Sequence, residues 1–216
     1  MTSELKKRII TSVFLLILLV LMFLYSYILL CALIIIGLIT WIEFNGLIIK
    51  IFNKSRLLRF LFKSCSLLYL SLLIVGVLYV AHDKPELKIF LVYSVLVSVT
   101  SDIGGLTFGK IFKGKKLTKI SPKKTISGSI GSFIFSFLLI PFFNDLFNNH
   151  EILILFIITA LISLTTQLGD LFISFLKRKA KVKNTSDLLP GHGGLLDRID
   201  GIIFAIPVGY LLINYL

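Results

Sequence analysis

Near its carboxyl end the chain carries the stretch PGHGGLLDRIDG, from Pro190 to Gly201, in which His192, Gly193, Gly194, Asp197, Arg198 and Asp200 fall close together. Two adjacent glycines let a backbone turn and aim its N–H groups at an anion, just ahead of a helix amino terminus. Asp197 and Asp200 are about one helical turn apart, and with Asp170 they offer three oxygen-donor side chains. Magnesium takes such a set, a few carboxylates completed by phosphate oxygens and water. Phosphoryl or nucleotidyl transfer needs this arrangement, and the glycine stretch suits a triphosphate or a pyrophosphate. His192 is read as a binding residue and not as a general base.

Two more acids join Asp170. Glu43, Asp102 and Asp170 sit inside apolar segments, where an ionisable group is costly and usually faces a bundle interior or a wet cavity. Each precedes a lysine (Lys50, Lys110, Lys177) by seven or eight residues, which places all three roughly 10 to 12 Å from a basic anchor. Ser163, Gln167, Asp170, Ser174 and Lys177 recur at spacings of three and four, so they form one polar stripe along a helix. Asp102 shares a face with Gly105 and Gly109, whose spacing also suits plain helix packing. An acid in such a segment has a second reading too, a salt bridge to a snorkelling lysine.

Cations complement the acids. Lys110, Lys113, Lys115, Lys116 and Lys119 precede SPKKTISG (Ser121 to Gly128), and KRKAKVK (Lys177 to Lys183) precedes the glycine stretch. Such runs suit anionic lipid head groups as well as phosphates. GKIFKGKK (Gly109 to Lys116) is no Walker A loop, because a lysine stands where the metal-holding Ser or Thr belongs and an apolar helix precedes it in place of a strand.

The elements that must hold these residues are membrane helices. Of the 216 residues 56% are hydrophobic and only 16% charged, and the mean hydropathy is +0.97, far outside the range of soluble domains. Seven apolar runs, near residues 9–25, 27–49, 60–80, 88–109, 128–147, 152–176 and 201–216, predict an all-α polytopic protein. The first run follows Lys6, Lys7 and Arg8 without a small-residue cleavage site and is expected to remain as a helix. With the amino terminus in the cytoplasm, 21 of the 23 Lys and Arg residues fall on that side, and the outer loop with Asp145 and Glu151 has none. The net charge of +12 therefore describes one membrane face and not a nucleic-acid surface. Cys31 and Cys65 lie within apolar runs and read as packing residues. No linker or repeat divides the chain, so residues 1–216 are expected to form one domain. A transporter with an acidic cation path is the rival class, but its ionisable groups should cross the whole bilayer, whereas these keep to one side.

The carboxyl-terminal residues carry a resemblance. Ser174, Lys177, Arg178, Lys183, Ser186, Leu189, Pro190, His192, Gly193, Gly194, Asp197, Arg198 and Asp200 match the spaced signature of the phosphatidate cytidylyltransferase (CDP-diacylglycerol synthase) family. Asp102, Phe108, Gly109, Lys110 and Ser121 to Thr125 resemble a second family feature, and together the two cover residues 100–201, the expected catalytic half. Asn184 stands where that family usually has Asp, and Ile126-Ser127-Gly128 replaces its Trp-Glu-Gly. The resemblance also implies a chain shorter than many members on the amino-terminal side.

It implies transfer of a cytidylyl group from CTP to phosphatidic acid, giving CDP-diacylglycerol and pyrophosphate at the cytoplasmic face of a bacterial inner membrane. Asp170, Asp197 and Asp200 would hold Mg²⁺, with a second cation and a role for Asp102 left open. Lys123, Lys124, Lys177, Arg178, Lys183 and Arg198 would bind phosphate oxygens, Ser174 would complete the coordination, and His192, Gly193 and Gly194 would cover the nucleotide phosphates. Related CTP-using membrane enzymes acting on other lipids, a degenerate lipid-binding homologue and a homodimeric state stay open alternatives.

Overall fold

The computed structural model describes residues 3–84, 87–144, 152–191 and 193–213, with side chains from Ile10 to Leu212 within those ranges. His192, Asp145 and Glu151, and the side chains of Lys6, Lys7 and Arg8, lie outside the described residues. Nine helices occur among them: α1 (Ser3–Leu24), α2 (Ser26–Ile51), α3 (Arg56–Asp83), α4 (Lys88–Phe112), α5 (Ile126–Phe137), α6 (Ile140–Phe143), α7 (Ile152–Lys179), α8 (Leu196–Ile199) and α9 (Ile202–Ile213). The only β pairing among the described residues is two isolated bridges, Lys116 with Thr125 and Leu189 with Gly193.

Each of the seven expected apolar segments forms helix within its described residues, and the chain is an all-α polytopic membrane protein. Five stretches, Ser26–Ile51, Arg56–Asp83, Lys88–Phe112, Ile126–Phe143 and Ile152–Lys179, are long and apolar enough to cross a membrane; Ile10–Leu24 and α9 are shorter. The fifth segment is broken between α5 and α6. Pro141 has no N–H with which to continue the ladder, and the chain tightens there through Leu139 N–H to Ser136 O and Phe142 N–H to Leu139 O.

Backbone contacts gather the chain into two compact units, Met1–Pro85 with Leu176–Ile199, and Glu86–Phe175 with Asp200–Leu216. In the first, α2 packs on α1 and α3 around Leu29, Leu47, Ile48, Leu70, Val77 and Val80. Ser55 caps α3 by accepting from the Leu58 N–H at 3.3 Å, and the Trp41 indole donates to the Lys63 carbonyl at 3.2 Å. Cys31 and Cys65 are exposed on α2 and α3, so they do not pack inside as the sequence suggested. The outward faces of these helices are as apolar as their inward ones, and hydrophobicity alone does not tell the two apart.

The second unit rests on small residues. Lipid tails are as apolar as leucine, so these helices associate by close packing and interhelical hydrogen bonds. On the α4–α5 seam a Cβ at Gly104 would meet the Gly131 carbonyl and lie 2.7 Å from Phe135 Cβ, and one at Gly105 would lie 2.8 Å from Ser132 Oγ. Hydroxyls tie α7 to α4: Tyr93 to Thr159 at 2.5 Å, Ser98 to Thr166 at 3.0 Å and Ser101 to Ser163 at 3.0 Å. Beneath them Tyr93, Val97, Ile140, Phe143, Leu155, Ile158, Ile162 and Ala205 form one buried core.

This contrast yields a test. Gly104→Ala drives a Cβ into backbone and should cost about 1–3 kcal/mol, whereas Gly76→Ala, with nothing within 4 Å of its Cβ, should be neutral or slightly stabilising. Thermal unfolding in detergent checks both; equal effects would sink this account of the seam.

Candidate functional site

The chain leaves α7 at Lys179, loops through residues 180–191 and 193–195 and re-enters helix at Leu196, the first residue of α8. Lys181 takes a left-handed φ of 57° as α7 ends. Further on, Leu189 and Gly193 exchange both backbone hydrogen bonds, at 2.8 and 3.1 Å. Gly191 (φ 76°) and Gly193 (φ 86°) occupy the left-handed region that side chains avoid. Gly194 is required for another reason: a Cβ there would meet Thr185 Oγ1 and lie 2.6 Å from Glu43 Oε2. The paired glycines therefore serve two needs, a turn and a close approach.

The amides of this turn point at an anion, as the glycines suggested, but the anions they meet belong to the protein. Gly194 N–H donates to Asp197 Oδ2 at 3.1 Å, and so do the Thr185 N–H at 2.9 Å and its hydroxyl at 3.0 Å. The other oxygen, Oδ1, faces the Lys177 ammonium at 2.6 Å, with side-chain exposures of only 14% for Lys177 and 7% for Asp197. Burial alone pushes the Asp197 carboxyl up. The Lys177 hydrogen bond, the Thr185 amide, the Lys177 charge and the Gly194 amide outweigh it and hold Asp197 below the usual carboxylate range.

Glu43 completes the same network from α2. It is 6% exposed and accepts from Ser186 Oγ at 2.6 Å and Leu195 N–H at 3.0 Å on one oxygen. The other oxygen accepts from Thr185 Oγ1 at 2.8 Å and Leu196 N–H at 2.8 Å. From α1, Thr11 donates to the Pro190 carbonyl at 3.2 Å. The sequence marked Glu43 as an acid in an apolar run but assigned it no part in the site, and nothing singled out Thr185. The only available signal was the cost of burying a carboxylate, which demands donors from somewhere.

Beside this network lies a cavity of about 330 Å³ lined by Lys183, Asn184, Asp187, Leu189, Pro190, Gly191, Gly193 and Arg198. Two cations and one acid face it. Asn184 contributes a neutral amide where the resembled family carries a carboxylate.

The second unit holds the remaining candidates. Asp170, on the polar stripe of α7, pairs through Oδ2 with Lys124 Nζ at 2.5 Å and accepts from Ser174 Oγ on Oδ1 at 3.2 Å. Higher on the stripe, Gln167 accepts from Ser129 at 2.5 Å. Lys124 is placed by the Lys116–Thr125 bridge, by the Leu117 N–H bond to its carbonyl, and by Thr125, which caps α5 through the Gly128 N–H. Ser127, which replaces a family carboxylate, accepts from the Gly114 N–H at 3.2 Å and shares a hydrogen bond with Thr125 Oγ1 at 3.1 Å. Asp200 is buried and accepts from the Gly201 N–H at 3.0 Å. Asp102 and Lys123 are exposed, as is Arg178 of the first unit.

Carboxylate oxygens are the donor type a hard divalent cation takes, but Asp197 and Asp170 each turn one oxygen toward a lysine ammonium and satisfy the other with uncharged donors, so a cation would have to displace the lysine to reach them. Within each unit, no three His, Cys, Asp or Glu side chains among the described residues stand close enough to hold a metal by themselves. Any ion taken here therefore needs oxygens from a ligand or from water.

By its fold the chain is a polytopic helical membrane protein. More specifically, the chain belongs to the cytidylyltransferase family, whose sequence profile matches residues 2–216. It is 41% identical over 145 residues to the phosphatidate cytidylyltransferase of Rickettsia typhi, covering 62% of each chain. It is 36% identical over 155 residues to that of Staphylococcus saprophyticus and 37% over 157 residues to that of Staphylococcus aureus, in both cases covering 69% of this chain and 59% of the relative. The chain thus spans about three fifths of the length of the curated relatives it matches.

The Asp197 network sets a pH dependence. Its carboxyl is held below its ordinary value in the folded chain, so the stabilisation is complete above the usual carboxylate range and is lost as pH falls through the folded value. At pH 7 Asp197→Asn, which leaves Lys177 without its counter-charge, should cost about 1–3 kcal/mol. The gap from wild type should close as the pH drops below about 4. Unfolding midpoints across that range measure it, and a gap independent of pH would contradict the assignment.

Proposed function

We propose that this protein transfers the cytidylyl group of CTP to phosphatidic acid, releasing pyrophosphate and forming CDP-diacylglycerol. The observation that carries the reading is the cavity lined by Lys183, Arg198 and the Gly191–Gly193 turn, adjoining a network that fixes Asp197. Family membership and the names of the bacterial relatives support it. Orientation follows from the charges: the basic loops, and with them the site, face the cytoplasm of a bacterial inner membrane.

In the proposed reaction a phosphate oxygen of phosphatidic acid attacks the α-phosphorus of CTP in line. The new P–O bond forms as the bond from that phosphorus to the bridging oxygen of the β-phosphate breaks, and pyrophosphate carries away the electron pair. The attacking oxygen is already ionised, so neither a covalent nucleophile nor a general base is required. The residues' task is to reduce repulsion between two anions and to hold them collinear.

Lys183 and Arg198 face the cavity and would take nucleotide phosphate oxygens, the glycine turn providing the close approach. Lys177 and Lys124, now paired with Asp197 and Asp170, would share their protons with arriving phosphates; Lys123 and Arg178 are exposed to meet the lipid phosphate. Ser174 steadies Asp170. The acids that would hold Mg²⁺ are Asp197 in the first unit and Asp170 and Asp200 in the second; the ion, when bound, would supply positive charge to phosphate oxygens.

Detergent-purified protein should make CDP-diacylglycerol from CTP and phosphatidic acid in a Mg²⁺-dependent manner, and Asp197→Asn should lower the rate at least about 100-fold. A folded wild-type protein that makes no product at any Mg²⁺ level would overturn the reading. Product formed only with another lipid acceptor would reassign the substrate.

A further inference from the structure

We infer that Glu43, on α2 and far in sequence from the glycine loop, is the positioning residue that sets Asp197 and the loop amides in register for the nucleotide. This inference rests on the reaction proposed above for the substrate it names. Its geometric part stands independently.

A carboxylate buried in an apolar helix is costly unless donors surround it, and Glu43 has four of them. All come from residues 185–196, two hydroxyls and two backbone amides, and none from its own helix neighbours. The two amides, of Leu195 and Leu196, are among those a helix amino terminus leaves unsatisfied, so Glu43 serves as a cap for α8 supplied from another helix. The Thr185 hydroxyl lies between two carboxylates, 2.8 Å from Glu43 and 3.0 Å from Asp197, and couples their positions through one proton. Gly194 admits the contact, since any side chain there would collide with Thr185 and Glu43.

The consequence reaches the cavity. Gly193 and Arg198 line it and flank the segment that Glu43 holds. Moving residues 194–197 by a fraction of an ångström displaces the Arg198 guanidinium and the Asp197 carboxylate together, and misplacements of that size in a phosphoryl-transfer site are expensive. Glu43 touches neither cavity nor substrate in this account and acts through Thr185 and the α8 amides.

The test pairs Glu43→Gln, which keeps the shape but turns an amide donor toward other donors, with Thr185→Val and Thr185→Ser. Hydrogen exchange reads the amides of residues 194–196, and steady-state kinetics read CTP and phosphatidic acid separately. Glu43→Gln and Thr185→Val should speed exchange at Leu195 and Leu196, raise KM for CTP and lower kcat/KM for CTP about 10- to 100-fold. KM for phosphatidic acid should be unchanged, and Thr185→Ser should behave like wild type. A merely structural role would lower the active fraction, and with it the apparent kcat, while leaving KM for CTP in place.

Wild-type exchange and kinetics in Glu43→Gln would overturn the inference. If that variant does not accumulate, wild-type behaviour of Thr185→Val would overturn it instead. Should the wild-type protein make no CDP-diacylglycerol, the proposed reaction falls, yet unchanged exchange at Leu195 and Leu196 in Glu43→Gln would still refute the positioning role.

Discussion

A buried carboxylate must be given donors, and the glycine loop is shaped by that demand. Glu43 and Asp197 between them accept from two hydroxyls, four backbone amides and one lysine, all within residues 177–196. Replacing any of these donors leaves a carboxylate oxygen short of a partner in a place where water does not easily make up the loss, at a cost of about 1–3 kcal/mol. These bonds act together with the Leu189–Gly193 backbone pair, the Thr11 bond to the Pro190 carbonyl and the buried side chains of Leu195 and Leu196 to fix a loop that carries two left-handed glycines.

The second unit solves a different problem by a related route. Its helices gain nothing by hiding leucine from lipid, so they approach through glycine and bind through serine and threonine, most of whose hydroxyls also return a hydrogen bond to their own helix. This seam ends at Asp170, where the polar stripe of α7 meets Lys124. A salt bridge to a lysine was one of the two readings open for an acid in an apolar segment. Paired this way, Asp170 does not stand as an uncompensated charge.

Much of this was legible in the sequence, and for physical reasons. Continuous apolar runs have only helices as an outlet in lipid, so all seven segments were found, and only the break at Pro141 was overlooked. The polar stripe on α7 was readable because helical periodicity puts Ser163, Gln167 and Asp170 on one face, and each found a partner. The glycines of the loop announced a turn and an anion, but not that the anions would be Asp197 and Glu43. The contacts of Glu43 with Leu195 and Leu196 join residues more than 150 positions apart, and no periodicity carries that distance. Exposure of Cys31 and Cys65 was equally illegible, because lipid-facing and buried positions are both apolar.

The chain belongs to a family whose bacterial relatives are phosphatidate cytidylyltransferases, and it carries an amide and a hydroxyl, Asn184 and Ser127, where acids are usual. Both are in use: Asn184 faces the cavity, and Ser127 ties the loop ahead of α5. The cavity beside the Glu43–Asp197 network is the proposed receptor of the nucleotide phosphates. Equilibrium binding of CTP to the purified protein, compared between wild type and the double variant Lys183→Met, Arg198→Met, tests this proposal most directly. The account predicts affinity weaker by at least about tenfold, the loss of about 1.4 kcal/mol or more in charge-assisted hydrogen bonds; equal affinity in a folded double variant would contradict it.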